Sequence, residues 1–119
     1  MTEIIIPEGA TGITRIITIN RRGQLVAENL TTSGYTVATL ALTTQNHKTI
    51  YNGSITLVIT DSVNGEVTWT ISTTNLIPAV PKNKDELTII GQVTLTGSGI
   101  IDRTEEFSII IKRNIISSL

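Results

Sequence analysis

The hydrophobic and polar residues of this chain alternate most regularly over residues 54–72. The apolar positions of this stretch are Ile55, Leu57, Ile59, Val67, Trp69 and Ile71. A period of two places such a set on one face of an extended strand. Between the two halves, the Asn64–Gly65 step tolerates the positive φ of a tight turn. The stretch therefore predicts a β-hairpin with one buried face, and Trp69, the single tryptophan, is expected at the centre of the core.

The same alternation recurs along the chain, with turn residues at intervals of roughly ten positions. Further strands are predicted at residues 13–20, 35–43, 87–95 and 107–111. Within residues 35–43 the apolar parity switches between Val37 and Leu40, which indicates a β-bulge or a strand that passes from one sheet to another. Gly91 falls at a core-facing position, where it is expected to make room for the ring of Trp69.

Composition supports an all-β fold. Isoleucine and threonine are the two commonest residue types, and both are β-branched and favoured in strands. A chain of 119 residues fits one domain, and no internal repeat or linker divides it. About seven strands at this spacing predict an immunoglobulin-like antiparallel β-sandwich, with a small closed β-barrel as the alternative.

Both ends of the domain are apolar, over about residues 1–12 and 114–119. The isoleucine run before Pro7 predicts either a short edge strand or a hydrophobic hook for a neighbour. Extended apolar arms commonly add to a neighbour's sheet, and the proline-containing loop before residue 85 offers a second surface. The predicted partner contacts are Ile4, Ile5, Ile6, Pro78, Pro81, Lys82, Lys84, Ile115, Ile116 and Leu119.

The sequence offers little catalytic or metal-binding chemistry. It contains no cysteine, which excludes disulfides and thiolate sites. His47, the single histidine, stands in a polar loop without partners at metal-ligand spacing. Asp61 begins a turn that lacks the spaced oxygen ligands of a calcium loop, so we expect it to cap the turn. We predict no catalytic residue, no cofactor and no metal, and hence no enzyme.

Charge and hydropathy narrow the expected partners. The net charge of −1 gives no electrostatic case for nucleic acid or an anionic membrane. The first residues lack the basic and apolar segments of a signal peptide, so synthesis in the cytoplasm is expected. A glycan-binding module would need exposed aromatic side chains, and Tyr35 and Tyr51 are the two candidates outside the predicted core.

A family resemblance rests on the hairpin and on the strands that follow it. The residues that carry it are Leu30, Thr31, Ile59, Thr60, Asp61, Gly65, Val67, Trp69, Ile71, Val93, Leu95, Phe107, Ile109 and Ile111. From Val58 onward, together with the earlier Leu30–Thr31 step, this pattern resembles the N-terminal immunoglobulin-like domain of the upper baseplate proteins of siphophages that infect Gram-positive bacteria. The opening stretch, GITRIITINRRGQL, lacks the acidic start usual in that family.

The resemblance implies a phage structural protein, located in the virion, that packs against other virion proteins and copies of itself. Baseplate, tail and capsid decoration are all compatible positions, and the resemblance implies no catalytic residues. Two alternatives stay open: a glycan- or ligand-binding adhesion module, and a fibre subunit completed by a neighbour's donor strand.

Overall fold

The computed structural model describes residues 3–9, 12–20, 26–71, 80–104 and 106–113. Within these ranges the chain forms eight strands and one short helix. The strands are β1 (Ile4–Pro7), β2 (Ile13–Thr18), β3 (Tyr35–Thr43), β4 (Ile50–Asp61), β5 (Glu66–Ile71), β6 (Glu86–Gly97), β7 (Ile100–Arg103) and β8 (Phe107–Lys112), and the helix is α1 (Leu30–Ser33). The predicted all-β class is confirmed.

The strands form one continuous path in the order β1-β8-β6-β3-β4-β5-β2, and β7 pairs with β6 beyond the end of β8. This path nearly closes on itself, so the fold fits both the sandwich and the small barrel. All pairs are antiparallel except β1 with β8, in which Ile4 lies opposite Ile109. The two ends of the path, β1 and β2, are edge strands that do not pair with each other.

Two strands of twelve residues each, β4 and β6, pair with more than one neighbouring strand. The first part of β4 pairs with β3, and its last part, from Val58, pairs with β5. β6 pairs with β3 on one side and with β8 and then β7 on the other. Of the two alternatives for β3, the structure shows a bulge, but its register against β6 shifts between Tyr35 and Val37, before the predicted position between Val37 and Leu40.

The core follows the period-two pattern. Fully buried side chains include Ile6, Leu30, Leu40, Leu42, Val67, Trp69, Ile71, Ile89, Val93, Ile109 and Ile111. The predicted central position of Trp69 is confirmed, since its side chain is completely inaccessible to solvent. The expectation for Gly91 was wrong in its partner: a Cβ there would lie 2.9 Å from the Phe107 ring and from the Ile109 side chain, so glycine makes room for β8.

The helix α1 was not predicted from the sequence. Asn29 caps its first turn by accepting a hydrogen bond from the Thr32 N–H at 3.1 Å, and Gly34 ends it in the left-handed region. These are the residue types that favour helix caps, but a helix of four residues leaves no periodic pattern. Its one buried residue, Leu30, closes one end of the core.

Candidate functional site

The most distinctive surface feature is the open seam between β1 and β2. We use the name seam for the cleft that separates these two edge strands. Its volume is about 280 Å³, and both strands contribute to its lining, with Glu3 and Ile5 on one side and Arg15, Ile16 and Asn20 on the other. An exposed strand edge presents unpaired main-chain groups that can template another strand.

The register of β2 shows which main-chain groups face the seam. The Ile19 N–H donates to the Gly65 carbonyl at 2.7 Å, which assigns Ile19 to a hydrogen-bonded pair. In an antiparallel ladder such pairs alternate. The N–H and C=O groups of Thr14, Ile16 and Thr18 therefore point away from β5 and toward the seam, and no strand forms a ladder with that edge in the part of the chain that the structure describes.

The Arg15 side chain spans the seam. Its Nε donates to the Ile5 carbonyl of β1 at 3.2 Å, and its Nη1 donates to the Thr14 carbonyl of β2 at 2.9 Å. Arginine suits this position because its planar group presents several donors in a fixed fork. The seam is thus bridged by a side chain where a closed barrel would have a ladder of main-chain hydrogen bonds. The sequence indicated only that Arg15 shares parity with Ile13 and Ile17.

Three exposed apolar side chains lie at the seam or within two strands of it. Ile5 and Ile16 stand on its two sides, and Val58 lies two strands further along the sheet, beyond Thr68 of β5. Their exposed fractions are 47%, 60% and 61%. We call these three residues the apolar strip. A single exposed apolar residue needs no explanation, but Ile5 and Ile16 on the two sides of an open edge, with Val58 two strands away in the same sheet, are typical of an interaction surface.

The first predicted arm forms the edge strand β1, the first of the two alternatives that the sequence left open. Ile6 is completely buried in the core of its own chain, and Ile4 is partly buried against that core. Ile5 is the member of the run that reaches solvent. The Glu8 N–H extends the pairing by donating to the Lys112 carbonyl at 2.7 Å.

The loop after Val80 adjoins this arm. The Glu8 carboxylate accepts a hydrogen bond from the Val80 N–H at 2.7 Å. Arg113 donates to the carbonyls of Lys84, at 2.8 Å, and Pro81. The structure therefore brings two of the predicted surfaces together, the N-terminal arm and the Pro81–Lys84 turn. The contact residues Pro81, Lys82 and Lys84 are all exposed.

Four predicted contacts, Pro78, Ile115, Ile116 and Leu119, lie outside the described residues, and partner binding by the whole set stays a prediction. A separate exposed patch was missed by sequence reasoning. Val37 and Ile101 lie on either side of Thr96, on β3 and β7. The bulge in β3 lies just before Val37 and turns it outward, whereas the parity switch in the sequence places the bulge after Val37.

The aromatic candidates do not form a platform. Tyr35 and Tyr51 are both half-buried and pack against the core. The Tyr35 hydroxyl donates to a carboxylate oxygen of Asp102 at 3.4 Å. These positions lack the exposed ring faces that sugar or base stacking requires.

His47 has a specific partner that its sequence context did not indicate. Its Nε2 lies 2.7 Å from Oε2 of Glu106, which links the loop after β3 to the start of β8. Both side chains are about half exposed. Among the described residues no group of three or more His, Cys, Asp or Glu side chains is arranged to hold a metal ion.

Asp61 caps the hairpin turn as predicted. One carboxylate oxygen accepts from the Asn64 backbone N–H at 3.2 Å, and the other accepts from the Asn64 side-chain amide at 2.8 Å. The two hydrogen bonds from Asn64, the side-chain bond first, lower the pKa of Asp61 below its usual value. Both carboxylate oxygens thus accept hydrogen bonds within the turn, as a capping role requires.

No protein-family model matches this chain, and no curated protein matches it either. In the described part of the chain no helix is long and apolar enough to cross a membrane. Because no family model and no curated protein match, the likeness to siphophage baseplate domains rests on the sequence pattern alone.

Proposed function

We propose that this protein is a non-enzymatic structural component of a phage virion, in its baseplate, tail or capsid decoration. It assembles with copies of itself and with other virion proteins through its strand edges and terminal arms. The observation that carries the assembly part is the seam, where two unpaired strand edges lie beside the apolar strip. The virion part is supported by the pattern resemblance.

The physical argument concerns what an open edge and an apolar strip gain from a partner. Main-chain groups on an edge form hydrogen bonds with an added strand, and alternate side chains fix its register. Burying the exposed parts of Ile5, Ile16 and Val58 adds a hydrophobic contribution of about 25 cal/mol per Å² of apolar surface. A virion supplies many neighbouring copies, so even a weak edge contact is multiplied by multivalency.

The test is a change in self-association that leaves the fold intact. Ile16→Lys places a charge on the seam edge, and Val63→Lys places the same charge at a residue that is 58% exposed in the β4–β5 turn. Light scattering across a concentration series should show an oligomer for the unmodified chain and for Val63→Lys, and a lower mass for Ile16→Lys. Equal masses for the two variants would contradict assembly through the seam.

A second candidate is a fibre subunit completed by a neighbour's donor strand. The seam favours this hypothesis because it separates two edge strands that would otherwise be neighbours. Such a subunit would be markedly less stable alone than when a strand is supplied. Equal melting temperatures for the isolated monomer and for the assembly would count against this candidate and leave the first one in place.

A further inference from the structure

The strand β1 is attached to the rest of the fold in an unusual way. It precedes β2 by only a few residues in the sequence. Yet it pairs with β8 and lies across the seam from β2. Between β1 and β2, Gly9 and Gly12 have φ of +74° and +77°. Glycine adopts such values without a steric cost, so at these two positions the backbone takes a conformation that other residues avoid.

The seat of β1 is specific. Residues Ile4 to Pro7 run parallel to residues 109–112 in unbroken register, and Ile6 is completely buried there. Beyond the strand, Glu8 makes one hydrogen bond to the Lys112 carbonyl and one to the Val80 N–H. An apolar anchor, a ladder and a carboxylate thus fix the arm in one position.

The ladder and the Glu8 hydrogen bonds go to β8 and to Val80, while Ile6 belongs to the buried cluster that also includes Ile17 of β2. From β2, the hydrogen bond that reaches β1 is the one from Arg15 to the Ile5 carbonyl. A single side-chain hydrogen bond between exposed groups contributes little to stability. Among the described residues, the main-chain ladder of the arm is therefore formed with β8 and not with β2.

We propose that β1 is an exchangeable arm: in the assembled protein, residues 3–9 of one copy occupy the β8 edge of a second copy. This inference rests on the proposed function, since it names the partner of the assembly as a second copy of this chain. The β8 edge of a second copy fits this arm, because in the single chain the same edge already binds the identical segment.

Exchange preserves every contact of the arm and changes only which chain supplies it. The balance between the two forms is then set by the effective concentration of the arm at its own seat against that of neighbouring copies. The seam of each copy is then formed between its own β2 and the β1 of the other copy, and Ile5 and Ile16 keep the exposure that they have in the single chain.

Two single-cysteine variants test the proposal. Ile5 and Ile110 are directly opposed on β1 and β8, both side chains reach the surface, and the native chain contains no cysteine. Neighbouring strands lie about 4.8 Å apart, which is within the range of Cα separations that a disulfide spans. Ile5→Cys and Ile110→Cys chains are mixed, unfolded and refolded together at high concentration, oxidised, and separated under denaturing conditions without reductant.

Exchange predicts a covalent dimer of one Ile5→Cys chain with one Ile110→Cys chain, identified by mass. A mixture of Ile5→Cys with Ile50→Cys controls for random collision, since Ile50 is 66% exposed and lies on β4. A chain that carries both Ile5→Cys and Ile110→Cys verifies that the pair can close, and circular dichroism verifies that it folds.

The outcomes separate this inference from the proposed function. An oligomer in which the double variant forms its disulfide only within single chains would overturn exchange and leave self-assembly intact. A monomer at every concentration, again with the disulfide within the chain, would overturn both exchange and self-assembly. A mixed covalent dimer above the level of the Ile50→Cys control supports exchange.

Discussion

The two sides of this fold are closed by different means. On one side, β6, β3 and β4 are joined by long antiparallel ladders, and the inward residues Ala38, Leu40 and Leu42 of β3 are fully buried. On the other side, β1 and β2 face each other across the seam, and the Arg15 side chain makes the bridge. The ladders of β6, β3 and β4 stabilise the domain, whereas β1 and β2 each leave one strand edge without a ladder among the described residues. The strands that stabilise the fold therefore differ from those with an open edge.

The largest expected difference between the two sides is in core truncation. Trp69→Ala should lower the free energy of unfolding by about 3–5 kcal/mol, because it removes the largest fully buried side chain. Ile16→Ala, at the seam, should change it by less than about 0.5 kcal/mol. Denaturant unfolding of dilute protein measures both. Similar losses for the two variants would show that the seam contributes to the monomer's stability as the core does.

The next largest effect concerns the turn that anchors β2 to the closed side. Gly65 has φ of +67°, and a Cβ there would lie 2.6 Å from the Ile19 carbonyl oxygen. Gly65→Ala should therefore cost more than the roughly 1–2 kcal/mol of a left-handed residue alone. Gly99→Ala is the matched control, because Gly99 has φ of +75° and open space around it. Equal losses of unfolding free energy for the two variants would refute a packing role for Gly65.

A smaller effect is expected from the bridge itself. Arg15→Met keeps an apolar stem and removes the donors to the Ile5 and Thr14 carbonyls. We expect a loss of about 1 kcal/mol or less and faster amide hydrogen exchange in β1, with no change in β3. Arg15→Lys, which retains a donor, should lie between the two. Equally faster exchange in β3 would mean that the bridge supports the whole fold.

The smallest effect is the pH dependence of the hairpin cap. The pKa of Asp61 is lowered in the folded protein by the hydrogen bonds from Asn64. Its contribution to stability is therefore present above the unfolded pKa, near 3.9, and is lost as the pH falls through the lower folded value. Asp61→Asn should remove this part of the acid sensitivity. Melting temperatures at pH 7 and pH 3 test it, and the same decrease in both proteins would contradict the assignment.

The closed side could be predicted from sequence, because a buried strand face has a local signature. β3 matches its predicted bounds, and the hairpin and Trp69 fall where alternation places them. The seam could not be predicted, since it depends on which strands become neighbours. Nothing in the residues around Ile5 indicates that β1 pairs in parallel with β8, or that Arg15 reaches across a gap. The pair of His47 with Glu106 escaped prediction for the same reason.

The pairing of β1 with β8 has a consequence for synthesis. β1 is synthesised before the other described strands, and β8, with which it pairs, is synthesised after them. Until β8 has left the ribosome, the run Ile4–Ile6 has no seat in its own chain. Contacts between distant segments form slowly, and transiently exposed apolar strands are prone to associate. On a crowded polysome, where several nascent chains lie side by side, the first β8 that a given arm meets can therefore be a neighbour's.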